Sequence, residues 1–205
     1  MIFDCDGVLV DSETLGNRVI ADTVNELGLA LTFEDSIRLF RGLKMAEVVL
    51  AIEARLGRRL PEAFVPDLRA RMADLFHREL RAVEGVEQAL DELRMPTCVA
   101  SNAPMDKIRL TLGLTGLLQR FDGRIFSAYE VGAWKPDPGL YLHAAKAMGA
   151  DPEACVVVED SVPGVQAAVA AGMRALGYAP SGGGELADNG AEVFSSMALL
   201  PKLIG

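Results

Sequence analysis

The sequence predicts an α/β fold, a parallel sheet covered by helices on both faces, with an all-helical insertion after the first strand. Three observations carry this. From about residue 85 onward, short apolar runs alternate with stretches of helical periodicity. The runs are too uniformly apolar to have a wet face, which is the mark of strands buried on both sides. Between Glu13 and about Ala82, in contrast, apolar residues recur only at helical spacing.

The elements follow in order. Met1-Ile2-Phe3 is a short apolar strand that ends in Asp4 and Asp6, with a turn at Gly7. If the strand persists past Phe3, side chains at i and i+2 share a face and the two carboxylates converge. Two adjacent anions call for a cation or a shared proton; the alternative is a solvated strand end before a turn. Leu15, Val19, Val24 and Leu27 mark a first helix stopped by Gly28. Thr32 with Asp35 reads as a capping box before Ile37-Arg38-Leu39-Phe40. Met45, Val48, Val49, Ile52 and Leu56 form the next stripe, to Gly57. Pro61 and Pro66 are read as breaks, and Leu68, Met72, Leu75 and Phe76 as a longer helix.

Gly85 then opens a helix with Val86, Leu90 and Leu93 inward, and Thr97 to Ser101 is a strand. A helix through Ile108 and Leu112 leads to a weaker strand at Arg124 to Ser127. Pro136 to Gly149 reads as helix, Ala154 to Asp160 as the clearest buried strand, Val162 to Gly172 as helix and Arg174 to Tyr178 as strand. Ser181 to Gly184 is a flexible turn.

A chain of 205 residues has room for one large domain, or for a core and a smaller domain. Its net charge of −9 argues against a nucleic-acid backbone or an anionic membrane as partner. An anionic small substrate stays open, because a metal and a few basic side chains can set the local potential. Cys5, Cys98 and Cys155 lie in or beside apolar runs without a CxxC pair, and His77 and His143 are far apart, so there is no zinc signature. No secretory leader or bilayer-length apolar stretch stands out, and the chain is expected to be cytoplasmic. No sustained heptad demands a dimer, so a monomer is expected.

The strand ends collect chemistry. Asp4 and Asp6 end the first, Ser101-Asn102 the second and Glu159-Asp160 the long one, while Lys135 precedes a helix with proline in its first turn. In a parallel sheet these ends share one rim, where ligands bind. Taken singly, each has a plain alternative. Ser101-Asn102 reads as a turn, Lys135 as a solvated lysine, and Glu159-Asp160 as an N-cap before Val162-Pro163-Gly164.

In order, Phe3-Asp4-Cys5-Asp6-Gly7-Val8-Leu9, Ser101-Asn102, Lys135-Pro136-Asp137-Pro138 and Val158-Glu159-Asp160-Ser161 resemble the four motifs of the haloacid dehalogenase superfamily. The resemblance covers nearly the whole chain. It implies a Rossmann-like core at 1–12 and 83–205, and a helical cap at 13–82 similar to that of the phosphoglucomutase-like, sugar-phosphate phosphatase branch. It also implies a small phosphorylated metabolite as substrate and Mg2+ as cofactor. Asp4 would be the nucleophile, Asp6 the acid and base, and Lys135 the group offsetting charge on Asp4 and the phosphoryl group. Metal would be held by Asp4, Asp160 and the backbone carbonyl of Asp6, with Glu159 direct or through water. Ser101 and the amide of Asn102 would hold phosphoryl oxygens.

Selectivity would then rest mainly on the cap, where Arg41 and Lys44 flank Gly42 on a turn between helices and could bind a second anionic or hydroxyl-rich end. Ser12 and Ala82 to Gly85 are the hinge candidates. A mutase of the β-phosphoglucomutase kind is the alternative; that group carries a histidine where this chain aligns Gly16. A non-catalytic protein that kept the fold is the other alternative.

Overall fold

The computed structural model describes residues 1–40 and 43–204. Arg41, expected to bind substrate, and Gly42 lie outside the described residues. The chain divides into two compact units, Met1–Asp11 with Arg81–Gly205, and Ser12–Leu80.

The elements in order are β1 (Ile2–Phe3), α1 (Ser12–Glu26), α2 (Phe33–Phe40), α3 (Met45–Leu56), α4 (Phe64–Glu79), α5 (Val86–Glu92), β2 (Cys98–Ser101), α6 (Met105–Leu114), β3 (Ile125–Ser127), α7 (Ala128–Val131), α8 (Gly139–Ala147), β4 (Val156–Glu159), α9 (Val162–Ala170), β5 (Arg174–Tyr178), α10 (Gly184–Asp188), β6 (Glu192–Phe194) and α11 (Leu200–Ile204).

In the first unit, the strands form one parallel sheet in the order β3-β2-β1-β4-β5-β6. β1 lies between β2 and β4, with Ile2 opposite Cys98 and Val157, and Phe3 opposite Val99 and Val158. Alternation puts the two residues of β1 on opposite faces. Ile2 joins Cys98, Ala100, Val157 and Ala175 against Leu140 and Ala144 of α8 and Val165 and Ala168 of α9. Phe3 packs on the other face, its ring 6.2 Å from that of Phe121. Both are fully buried, each contributing about 1.5–3 kcal/mol from area removed from water.

The chain leaves this unit after Asp11 and returns at Arg81, and the two crossings run side by side. Asp11 N–H donates to Arg81 C=O at 3.0 Å, and Val83 N–H to Leu9 C=O at 3.0 Å. The regular elements of the second unit are all helices among its described residues. α1 packs on α2 and α4, burying Leu15, Val19, Ile20 and Val24. The expected capping box is present: Thr32 Oγ1 accepts from Asp35 N–H and Asp35 Oδ2 from Thr32 N–H, both at 3.1 Å.

Four differences from the sequence reading have local causes. Pro66 does not break the chain but sits in the first turn of α4, where its missing N–H has no helical acceptor to lose. α8 begins at Gly139 rather than Pro136, because Trp134 to Asp137 form a turn closed by Asp137 N–H to Trp134 C=O at 2.8 Å. Gly184, read as part of a flexible turn, opens α10. The reading also stopped short of β6, a three-residue edge strand with Glu192 and Val193 exposed.

Candidate active site

The site is assembled at the carboxyl ends of β1, β2 and β4. Asp4 N–H donates to Val158 C=O at 3.0 Å, the last sheet bond of this segment. The chain then turns back on itself. Leu9 and Val10 both donate to Cys5 C=O, at 3.0 and 3.1 Å, and Gly7 N–H donates to Val10 C=O at 2.8 Å. The strand therefore stops before Asp6, and the two carboxylates meet through a tight loop rather than as alternate residues of one extended segment. Gly7 is needed there twice over. Its φ of +82° lies in the left-handed region, and a Cβ would overlap the Asp160 carboxylate.

β2 ends at buried Ser101, whose Oγ accepts from Ala103 N–H at 3.1 Å. The Asn102 side chain clasps the backbone of Lys135: its Oδ1 accepts from Lys135 N–H at 2.9 Å, and its Nδ2 donates to Lys135 C=O at 3.3 Å. The peptide after Lys135 is cis, and Asp137 Oδ1 accepts from Gly139 N–H at 2.7 Å, starting α8. Lys135 is buried with its ammonium between two carboxylates, 2.5 Å from Asp4 Oδ1 and 2.6 Å from Glu159 Oε1.

Glu159 is the hub. Oε1 accepts from Lys135 Nζ and from the Tyr141 hydroxyl at 2.8 Å. Oε2 accepts from the N–H of Asp160 and of Ser161, both at 3.0 Å, and from Ser161 Oγ at 2.8 Å. Five donors exceed the roughly four lone-pair directions of a carboxylate. In this arrangement Glu159 anchors Lys135 through Oε1. Gly164 makes room for it, since a Cβ there would overlap the Glu159 carboxylate. The N-cap of α9 is Ser161, whose Oγ accepts from Gly164 N–H at 3.2 Å, and not Glu159 or Asp160.

One cation between two buried carboxylates cannot satisfy both equally. Burial raises both acids. At Glu159 the Lys135 ammonium, Tyr141 and the Ser161 amide outweigh it and hold the carboxyl below its usual range. At Asp4 burial wins despite Lys135, helped by the charges of Glu159 and Asp6, and the carboxyl is pushed up to about 7. Burial also disfavours the Lys135 ammonium, but Asp4 and Glu159 overcome that and hold it well above its usual range. A further cation next to Asp4 would relieve the imbalance.

Asp6, on the loop, has Lys107 Nζ 2.9 Å from each of its oxygens. Sequence reasoning named neither Lys107 nor Tyr141. Lys107 gives no local signal, because it reaches Asp6 only through the placement of α6. Tyr141 does leave one. A phenol on a stripe with Leu140, Ala144 and Ala145 must find a partner once buried.

The structure thus gathers Asp4, Asp6, Ser101, Asn102, Lys135, Glu159 and Asp160 at one rim of the first unit. Lys44 belongs to the other unit, exposed at the start of α3, with its N–H donating to Glu47 Oε2 at 2.8 Å. Trp134 is half-buried edge-on to Tyr129, and His143 is exposed against Phe126. Among the described residues, no three His, Cys, Asp or Glu side chains form a metal cage, and no helix is long and apolar enough to cross a membrane.

Fold and side chains together define an α/β protein with carboxylates, a lysine and a hydroxyl gathered at the carboxyl edge of a parallel sheet, where ligands bind in such folds. The family model of the haloacid dehalogenase-like hydrolases matches residues 1–172. The 6-phosphogluconate phosphatase of Escherichia coli (strain K12) is 39% identical over 175 residues, covering 85% of this chain and 79% of that protein. Among solved structures, a conserved haloacid dehalogenase-like protein of unknown function from Agrobacterium tumefaciens superposes with a TM-score of 0.88 at 36% identity, covering 99% of this chain and 96% of the other. A family hydrolase from Deinococcus radiodurans, with bound phosphate and sodium, gives a TM-score of 0.80 at 33% identity, covering 97% and 91%. The chain belongs to the haloacid dehalogenase-like hydrolases.

Proposed function

We propose that the protein is a magnesium-dependent phosphatase that hydrolyses a small phosphorylated sugar or sugar acid through an aspartyl phosphate. The observation that supports it most is the buried Asp4 held by Lys135 at the sheet edge, beside Asp6. Asp4 attacks phosphorus in line, and a P–O bond forms on its carboxylate as the ester P–O bond breaks. Asp6 gives its proton to the departing alkoxide oxygen, then takes one from the water that cleaves the acyl phosphate. Ser101 and the Asn102 amide hold phosphoryl oxygens, and Lys135 offsets their charge.

The donor set suits a hard cation. Asp4, Asp160 and the carbonyl of Asp6 supply oxygen only, Gly7 leaves room for the Asp160 carboxylate beside the loop, and burial leaves Asp4 short of positive charge. Magnesium there would supply charge neutralisation of the transferring group. Glu159 serves by fixing Lys135.

The sugar or sugar-acid reading rests on the relative named for 6-phosphogluconate, which shares 39% identity over 175 residues. Ser12–Leu80 acts in this reading as a cap, with Arg41 and Lys44 selecting the far end of the substrate. Gly16, where mutases carry a histidine, favours hydrolysis over return of the phosphoryl group to a sugar.

The test is phosphate release from p-nitrophenyl phosphate. Activity should appear with magnesium, vanish with EDTA and return on adding magnesium in excess. Absence of turnover, or turnover indifferent to EDTA, refutes the reading. A panel of phosphorylated sugars, sugar acids and nucleotides then assigns the substrate. Arg41→Ala with Lys44→Ala should raise KM for a sugar acid phosphate by roughly tenfold, as for loss of a charge-assisted contact, and leave p-nitrophenyl phosphate nearly unchanged. Equal effects on both would remove the cap from recognition.

A further inference from the structure

We infer that Lys107 is a positioning residue that sets the direction of the Asp6 carboxylate, an inference that rests on the phosphatase reading above. Lys107 lies in the first turn of α6, just after β2, which ends at Ser101, and the short loop that begins at Asn102. Its ammonium is 2.9 Å from both oxygens of Asp6, so it holds the whole carboxylate rather than one edge. α6 is itself fixed to the residue before Asp6. Cys5 Sγ lies 3.7 Å from Thr111 Oγ1, and Thr111 Oγ1 donates to Lys107 C=O at 3.1 Å. One helix therefore grips two consecutive residues of the loop, Cys5 by a buried contact and Asp6 by an ion pair.

The exposures decide what the pair is for. The side chains of Lys107 and Asp6 are 34% and 20% exposed. A pair only partly shielded from water adds modestly to folding stability. What it does restrict is rotation of an aspartate that sits on a turn instead of a strand. In the proposed reaction Asp6 must present an oxygen first to the leaving group and then to water, and a carboxylate free to swing would do so only part of the time. In the proposed reaction Lys107 acts through Asp6.

Leaving-group dependence tests this. Nitrophenolate departs without a proton, whereas a sugar alkoxide needs one from Asp6. kcat/KM reports the steps up to loss of the leaving group. Lys107→Met should lower kcat/KM for a sugar phosphate by on the order of tenfold to a hundredfold, and for p-nitrophenyl phosphate much less. Lys107→Arg should restore the ratio toward wild type. In Asp6→Asn, adding Lys107→Met should cost nothing more. Equal losses on both esters, or losses that add to those of Asp6→Asn, would overturn the inference while wild-type turnover left the phosphatase reading standing. Wild type without turnover would fail that reading first. Melting of Lys107→Met within about 2 °C of wild type accompanies the expected result; if it melts much earlier, the pair is structural and the inference falls.

Discussion

Asp4→Asn is expected to reduce turnover by on the order of 10⁴-fold or more, as for other lost nucleophiles, without unfolding the protein. The amide keeps the shape of the carboxylate but cannot form the acyl phosphate. Its effect on stability has a predictable sign. The Asp4 carboxyl is held near 7 in the fold, above its ordinary value, chiefly by burial. A group raised in this way contributes stability below its unfolded value and loses it as pH rises through the folded one. In metal-free protein at pH 8, ionised Asp4 is therefore a burden that asparagine removes. The variant should melt at or above wild type at pH 8, with the gap closing toward pH 5. Thermal melts in EDTA at the two pH values measure this. Turnover like wild type would end the assignment of Asp4 as nucleophile, and a large fall in melting temperature at pH 8 would end the account of its environment.

The architecture was legible because buried parallel strands leave a simple trace. Val156 to Glu159 and Cys98 to Ser101 are apolar on both faces, and each ends in a polar residue at the same rim. The site was less legible where it depends on loops and on distant partners. Asp4 and Asp6 were placed together by strand alternation, yet the strand stops at Phe3 and the Cys5–Val10 turn does the work. Glu159 was read by its charge, which suits a metal. Its five donors come from Lys135, Tyr141, Ser161 and the strand's own exit, and only the folded chain brings them together. Lys107 carries no pattern at all in the sequence, since nothing local says which way α6 runs from Ser101. β6 was missed because a three-residue edge strand with two exposed side chains lacks the apolar run that marked the others.

The second large effect is expected at Lys135, where methionine keeps much of the stem and removes the charge. Asp4 and Glu159 would then share a buried site without their common cation. Removing one partner of a buried ion pair leaves an uncompensated charge and costs about 3–5 kcal/mol. In a chain of this size that corresponds to a fall in melting temperature of roughly 10 °C. Glu159 keeps Tyr141, two amides and Ser161, so Asp4 is the group that must take up a proton. The loss should therefore be greatest above pH 7 and shrink toward pH 5, where Asp4 is neutral in either protein. Magnesium should recover part of it at pH 8, because a cation placed against Asp4 does the same electrostatic work from the other side. Turnover should fall on the order of 10²–10³-fold even in the folded fraction, as the transferring group loses a fixed positive charge. Unchanged melting at pH 8 would mean that Lys135 is not what holds the two carboxylates in place.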